Sequence, residues 1–138
     1  LFRSASNVAP GAVARMVRRL LDGKPAEARS LAAALEPLFN LVTVKTVEKT
    51  PYGEAACRAR NPLAYKTLMA VLGMPSGGCK PPLGKMTRNG LKTVIEAARS
   101  VQRAAPEILQ PVAEFFGVNI GERLENPKYR EGLYYPEY

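Results

Sequence analysis

Residues 10–39 read PGAVARMVRRLLDGKPAEARSLAAALEPLF, and their punctuation decides the fold class expected of the whole chain. Pro10 stands where a helix can begin, because the first helical position needs no backbone N–H. Gly23 stands where one can end, since glycine accepts the left-handed turn that closes helices. Between them Val13, Met16, Val17, Leu20 and Leu21 recur at the spacing of one buried helical face. Pro25 opens a second helix after a short joint, which favours two helices packing as neighbours. Its apolar stripe is Ala28, Leu31, Ala32, Leu35, Leu38 and Phe39. Pro37 is expected to interrupt or kink it, because proline removes a donor and crowds the preceding turn.

The same grammar continues outward. Asn61 and Pro62 read as an N-cap and first helical position, with Leu63, Leu68, Met69 and Leu72 buried and Gly73 beyond the end. Residues 74–87, MPSGGCKPPLGKMT, are too rich in Pro and Gly for regular structure. Thr87 can cap a helix that buries Leu91, Val94, Ile95, Ala98 and Val101. Pro106 opens another, with Ile108, Leu109, Val112, Phe115 and Phe116 apolar, Pro111 implying a bend and Gly117 following. Residues 43–60 lose the helical period. Pro51 and Gly53 mark a turn there, and the β-branched residues before it permit a brief extended stretch. The segment reads mainly as loop or helix extension. The fold class expected for these residues is therefore all-α, with helices near 10–22, 25–40, 62–72, 88–104 and 106–116.

Composition narrows the function. The chain has 138 residues, 46% hydrophobic and 23% charged, as in an ordinary globular domain. No apolar run reaches the roughly 18 residues that suggest a membrane span, and residues 1–11 lack the pattern of a signal peptide. There is no histidine, so no Ser-His-Asp triad, Cys-His pair or His-ligated zinc site can be assembled. Cys57 and Cys79 lie far apart with no C-x-x-C, which suits a reducing, cytoplasmic setting as small fillers; a disulfide is the alternative.

The net charge is +8. Arg15, Arg18 and Arg19 share one helical face, and Lys80, Lys85, Arg88 and Lys92 lie close in sequence. No RNP-type aromatic motif, zinc-finger spacing or helix-turn-helix accompanies them. A solvated basic face is the preferred reading, ahead of an anion or nucleic-acid site. Tyr129, Tyr134, Tyr135 and Tyr138 suit a subunit contact or packing on the same chain.

Three segments, in order, resemble the end of the dihydrodipicolinate synthase and N-acetylneuraminate lyase family. SASNVAPGAVARMVRRLLDGKPAEARSLAAALEPLFN resembles the stretch where the eighth barrel strand ends in S-x-x-N and enters a helix pair. RNPLAYKTLMAVLGMP resembles the family's N-P-x-x-x-K segment and the helix after it. KPPLGKMTRNGLKTVIEAA resembles its R-x-P-L turn and last common helix.

The resemblance covers residues 4 to about 103. It implies a (β/α)8 TIM barrel with an appended helical region, whose reacting groups lie at the C-terminal ends of the strands. It implies Schiff-base chemistry on pyruvate or a related keto acid, with a lysine from the sixth strand, a proton-shuttling tyrosine from the fifth and no cofactor or metal. None of those motifs occurs in this chain; they are expected in a barrel portion preceding Leu1.

The division that follows is 1–23 for the end of the last barrel strand and its helix, 24–103 for the helical region, and 104–138 for an extra helix and aromatic tail. Residues 44–60 look like an insertion. Ser4 aligns with a substrate-pocket serine, while Asn7 at the strand-to-helix junction reads as a helix cap. Asn61, Pro62 and Lys66 form a structural motif, Lys66 packing its stem and exposing its charge rather than acting as nucleophile. Arg3 departs from the family's small residue.

The expected role is support of the barrel and of a homo-oligomer, with the chain catalytically incomplete by itself. The alternatives are a self-associating helical module and, less favoured, a basic nucleic-acid-binding domain.

Overall fold

In the computed structural model, which describes residues 4–138, the Pro and Gly signals set most helix limits. Helix α1 is Pro10–Leu21, α2 is Pro25–Phe39, α3 is Leu63–Leu72 and α4 is Arg88–Ala104. Gly73 and Gly117 end their helices at φ 86° and φ 62°, the left-handed region that a Cβ disfavours. The last barrel strand expected before Ser4, and Arg3 with it, lie outside the described residues.

The chain is not all-α. Thr43–Thr50 (β1) and Gly53–Arg60 (β2) pair antiparallel, Thr43 opposite Arg60 and Thr50 opposite Gly53. The architecture is mixed α/β, with one hairpin set among helices. Val44, Thr43, Thr46, Val47 and Thr50 supply the β-branched side chains a pleated strand favours. Pro51 and Tyr52 form a two-residue loop. The Thr50 hydroxyl clamps it, accepting from the Tyr52 amide at 3.2 Å and donating to the Gly53 carbonyl at 2.8 Å. Every second residue of β1 faces inward: Val44 and Glu48 are buried and Thr46 half-buried, against exposed Lys45, Val47 and Lys49.

Three proline and cap expectations also change. Pro37 lies inside α2, which continues to Phe39 without interruption. Pro111 occupies the first turn of α5, Gln110–Phe116, where its missing N–H costs nothing; it starts the helix after the 3-10 turn Pro106–Ile108 rather than bending it. Asn61 does not cap α3. Pro62 holds that position, and the Asn61 amide donates to the Val42 carbonyl at 3.0 Å, closing the hairpin at its base.

One core joins the helices. Leu35 and Leu38 of α2, Leu68, Val71 and Leu72 of α3, and Val94, Ile95, Ala98 and Val101 of α4 are buried together with Met86 and Leu109. Tyr65, with 1% of its surface exposed, donates its hydroxyl to the Leu38 carbonyl at 2.7 Å, so α3 carries its own polar tie to the end of α2. The expected face of α1 is only half covered: Val13 and Met16 are buried, but Val17, Leu20 and Leu21 are 42%, 61% and 81% exposed. Phe115, expected in the core, is 83% exposed.

Beyond α4, residues 105–138 fold back across the helical region. The short helix α6, Ile120–Glu125, places Ile120 and Leu124 in the core. The tail then runs beside residues 84–88: the Met86 amide donates to Leu133 O at 3.2 Å and the Tyr135 amide to Met86 O at 3.0 Å.

Candidate functional site

Ser4 precedes the 3-10 turn Ala5–Asn7, and its carbonyl accepts both the backbone amide and the side-chain amide of Asn7, each at 3.2 Å. Asn7 therefore folds back on its own turn; the residue at the N-cap of α1 is Ala9, which has no side chain able to cap. Lys66, midway along α3, donates its ammonium to the Gly78 carbonyl at 2.9 Å. The amine thus ties the helix to the Pro/Gly-rich segment. No hydrogen bond or ion pair among the described residues joins Ser4 or Asn7 to Asn61, Pro62 or Lys66. Among the described residues these motif residues make separate local joints.

The densest polar arrangement lies at the start of α4. The first backbone amides of a helix have no partner within it. Here three segments satisfy them in turn: Arg88 N donates to the Tyr138 hydroxyl at 2.8 Å, Asn89 N to a Glu48 carboxylate oxygen at 3.2 Å, and Gly90 N to the Thr87 hydroxyl at 3.0 Å. The Asn89 side chain adds bonds to the other Glu48 oxygen at 3.0 Å and to Val47 O at 3.1 Å. Thr46 and Thr87 share a hydroxyl contact at 3.2 Å. Glu48 is 3% exposed, so its charge is supported by helix-start amides and the positive end of the α4 dipole. Hairpin, helix and tail lock at this point.

A second set of joints uses arginine on carbonyls at helix ends. Arg123 of α6 donates to Val71 O at 2.6 Å and Ala70 O at 3.2 Å, at the end of α3, and lies 4.0 Å from the Tyr129 ring centre. Arg99 of α4 donates to Leu124 O at 3.3 Å and pairs with Glu125 at 2.6 Å, while Arg130 also donates to Leu124 O. Tyr129 donates to Glu122 at 2.8 Å. That bond, with Lys128, holds the Glu122 carboxyl below its usual range; Tyr129 and then Glu122 hold the Lys128 ammonium above its own. The tail tyrosines are thereby engaged on their own chain.

Sequence reasoning found Thr87 as a cap but missed Glu48, Asn89, Tyr65 and Arg123. Glu48 alone left a signal: it continues the every-second-residue series Val44, Thr46 of a strand. Among the described residues no group of three or more potential ligands could hold a metal, and no helix is long and apolar enough to cross a membrane. Cys57 and Cys79 are both free and half-buried.

No family model matches the chain, and no solved structure matches it. A curated relative does. Over 109 residues, 79% of this chain, the sequence is 30% identical to a 4-hydroxy-tetrahydrodipicolinate synthase of Thermomicrobium roseum, and the matched part is 32% of that protein. This chain thus spans about a third of the length of the synthase to which it is similar.

Proposed function

We propose that this chain is the C-terminal helical part of a dihydrodipicolinate synthase-like lyase, where it supports a (β/α)8 barrel and its oligomer and supplies no nucleophile. The single observation carrying the reading is the partial similarity to a 4-hydroxy-tetrahydrodipicolinate synthase, in a chain that also holds SASNVAP, RNPLAYK and KPPLGKMT in order. The geometry is consistent with it in two ways. Lys66, the lysine in the motif, spends its ammonium on Gly78 O, whereas a Schiff-base amine must be held free beside the keto acid. The exposed row Val17, Leu20 and Leu21 on α1 is suited to a barrel sheet, the surface such a helix covers in a (β/α)8 fold. In the complete enzyme the reaction would be carbon–carbon or carbon–oxygen bond lysis or formation on a pyruvate-type Schiff base.

Borohydride trapping with pyruvate tests this directly. The chain alone is expected to remain unlabelled, and a polypeptide that adds a synthase-type barrel before Ser4 is expected to be labelled on a barrel lysine. A stable pyruvate adduct on Lys66 would overturn the reading. So would a full reading frame that encodes no barrel strands upstream.

A second reading, a self-associating helical module, draws on the same exposed α1 row, because apolar surface left open favours association. A strictly monomeric chain in sedimentation experiments would remove it.

A further inference from the structure

The hairpin leaves one edge of its sheet open. The Asn61 amide bonds to Val42 O, so residues 42 and 61 form a bonded pair that continues the ladder. Counting back along the register, Ala59, Cys57, Ala55 and Gly53 turn their N–H and C=O toward β1. Glu54, Ala56 and Arg58 therefore turn theirs away from it. Among the described residues no backbone group of another element bonds to these three.

Nothing in β2 guards that edge. The strand pairs with β1 along its whole length without a bulge, and it holds no proline and no lysine. Those are the devices that keep natural edge strands from pairing with other chains. Ala55, Ala56, Cys57 and Ala59 are small, and no residue of β2 is buried.

The outer face of the hairpin carries charges that its own two strands leave unpaired. Lys45 stands opposite Arg58, a like-charged juxtaposition, and Lys49 opposite Glu54. Among the described residues none of these four forms an ion pair. Between the two charged rows lie Val47, 55% exposed, and Ala56 opposite it.

A second β2 laid antiparallel, with Ala56 facing its own copy, changes this balance. Glu54 of each chain then stands opposite Arg58 of the other, so one surface complements itself about a two-fold axis. The backbone fits the same register, because Glu54, Ala56 and Arg58 all belong to the outward-facing set. Each facing pair can exchange both of its N–H···O bonds. Val47, Ala56 and their copies line up as one apolar row across four strands.

We propose that β2 is a dimerisation edge, on which a second copy of this chain pairs antiparallel about an axis at Ala56, in the strand order β1-β2-β2-β1. The inference stands apart from the lyase reading, since it needs only the hairpin, and pyruvate trapping tests that reading independently.

Sedimentation, combined with hydrogen exchange at single amides, tests the edge. The chain is expected to dimerise, and the Ala56 and Arg58 amides to exchange more slowly as protein concentration rises. Glu54→Arg and Arg58→Glu should each weaken the dimer roughly tenfold, because like charges then face each other. Combining the two substitutions reverses every pair and should restore the affinity. Ala56→Pro removes an N–H that β1 does not use, so the hairpin is expected to persist while the dimer is lost; circular dichroism checks the fold. A chain that stays monomeric would overturn the proposal. So would a dimer that survives Ala56→Pro, the sign of association through α1, or a double variant no tighter than the single ones.

Discussion

The guanidinium of Arg123 lies 2.6 Å from the Val71 carbonyl, binding a helix of the C-terminal extension to the last turn of α3. Gly73 makes the approach feasible. A Cβ there would stand 3.0 Å from the Arg123 guanidinium carbon, and the backbone at φ 86° already disfavours one. A charged donor on a half-buried carbonyl contributes about 1.5–3 kcal/mol. Arg123→Ala is expected to lose that amount in urea unfolding. Arg123→Lys should recover only a minor share, because a point ammonium cannot span two carbonyls and stack on Tyr129. An unchanged unfolding midpoint in Arg123→Ala would show that the joint contributes nothing.

Glu48 should behave as a structural carboxylate. Glu48→Ala strips acceptors from the Asn89 amide and side chain at a buried helix start, for a loss of about 1–3 kcal/mol. Glu48→Gln keeps one acceptor oxygen and should lose less. The check is the denaturation midpoint together with hydrogen exchange at Asn89, which should accelerate selectively in the alanine variant.

Gly84 reports on the tail. It sits at φ 58°, and a Cβ on it would collide with the Tyr135 hydroxyl. Gly84→Ala is therefore expected to free residues 133–138 and break the bond from the Lys85 amide to the Tyr135 hydroxyl, without unfolding α2 or α3. Limited proteolysis should cut the variant near the tail much faster than the parent; equal cutting rates would refute the packing described.

Tyr65 gives a prediction in pH. Burial pushes its phenol up from 10.0 to about 12. The folded state holds the proton more tightly than the unfolded chain, so this contribution is fully present below pH 10. It is lost as pH rises through about 12. The amount at stake is on the order of 2 kcal/mol. Tyr65→Phe should flatten that part of the alkaline stability curve while lowering stability at neutral pH, because the Leu38 carbonyl loses its donor. Parallel curves for both proteins would contradict the assignment.

Why the helices were legible and the hairpin was not follows from particular residues. Pro10, Pro25 and Pro106 at starts and Gly23, Gly73 and Gly117 at ends act through local backbone sterics, which need no tertiary partner. The stripe Leu91, Val94, Ile95, Ala98 and Val101 repeats with the helix and is buried as spaced. Strand β1 hides its period because its inward side chains are Val44, Thr46 and Glu48, two of them polar. Their partners, Thr87 and Asn89, lie 41 residues downstream and become neighbours only after folding.

The motif residues divide in the same way. Pro62 stands one place earlier than expected, at the cap of α3, and the Lys66 ammonium bond to Gly78 depends on the path of an irregular segment that no period encodes. Asn7 and Asn61 are suitable capping types, yet Asn7 folds back on its own turn and Asn61 is drawn to Val42 at the base of the hairpin.

Local chain stiffness and hydrophobic period, readable from the sequence alone, determined most of the limits of helices α1 to α4. Only the tertiary structure decided that residues 43–60 pair as strands, that Glu48 serves a helix, and that the tail closes over α4. Those outcomes arise from buried polar groups seeking partners far away in the chain, a requirement that takes effect only once the groups leave water.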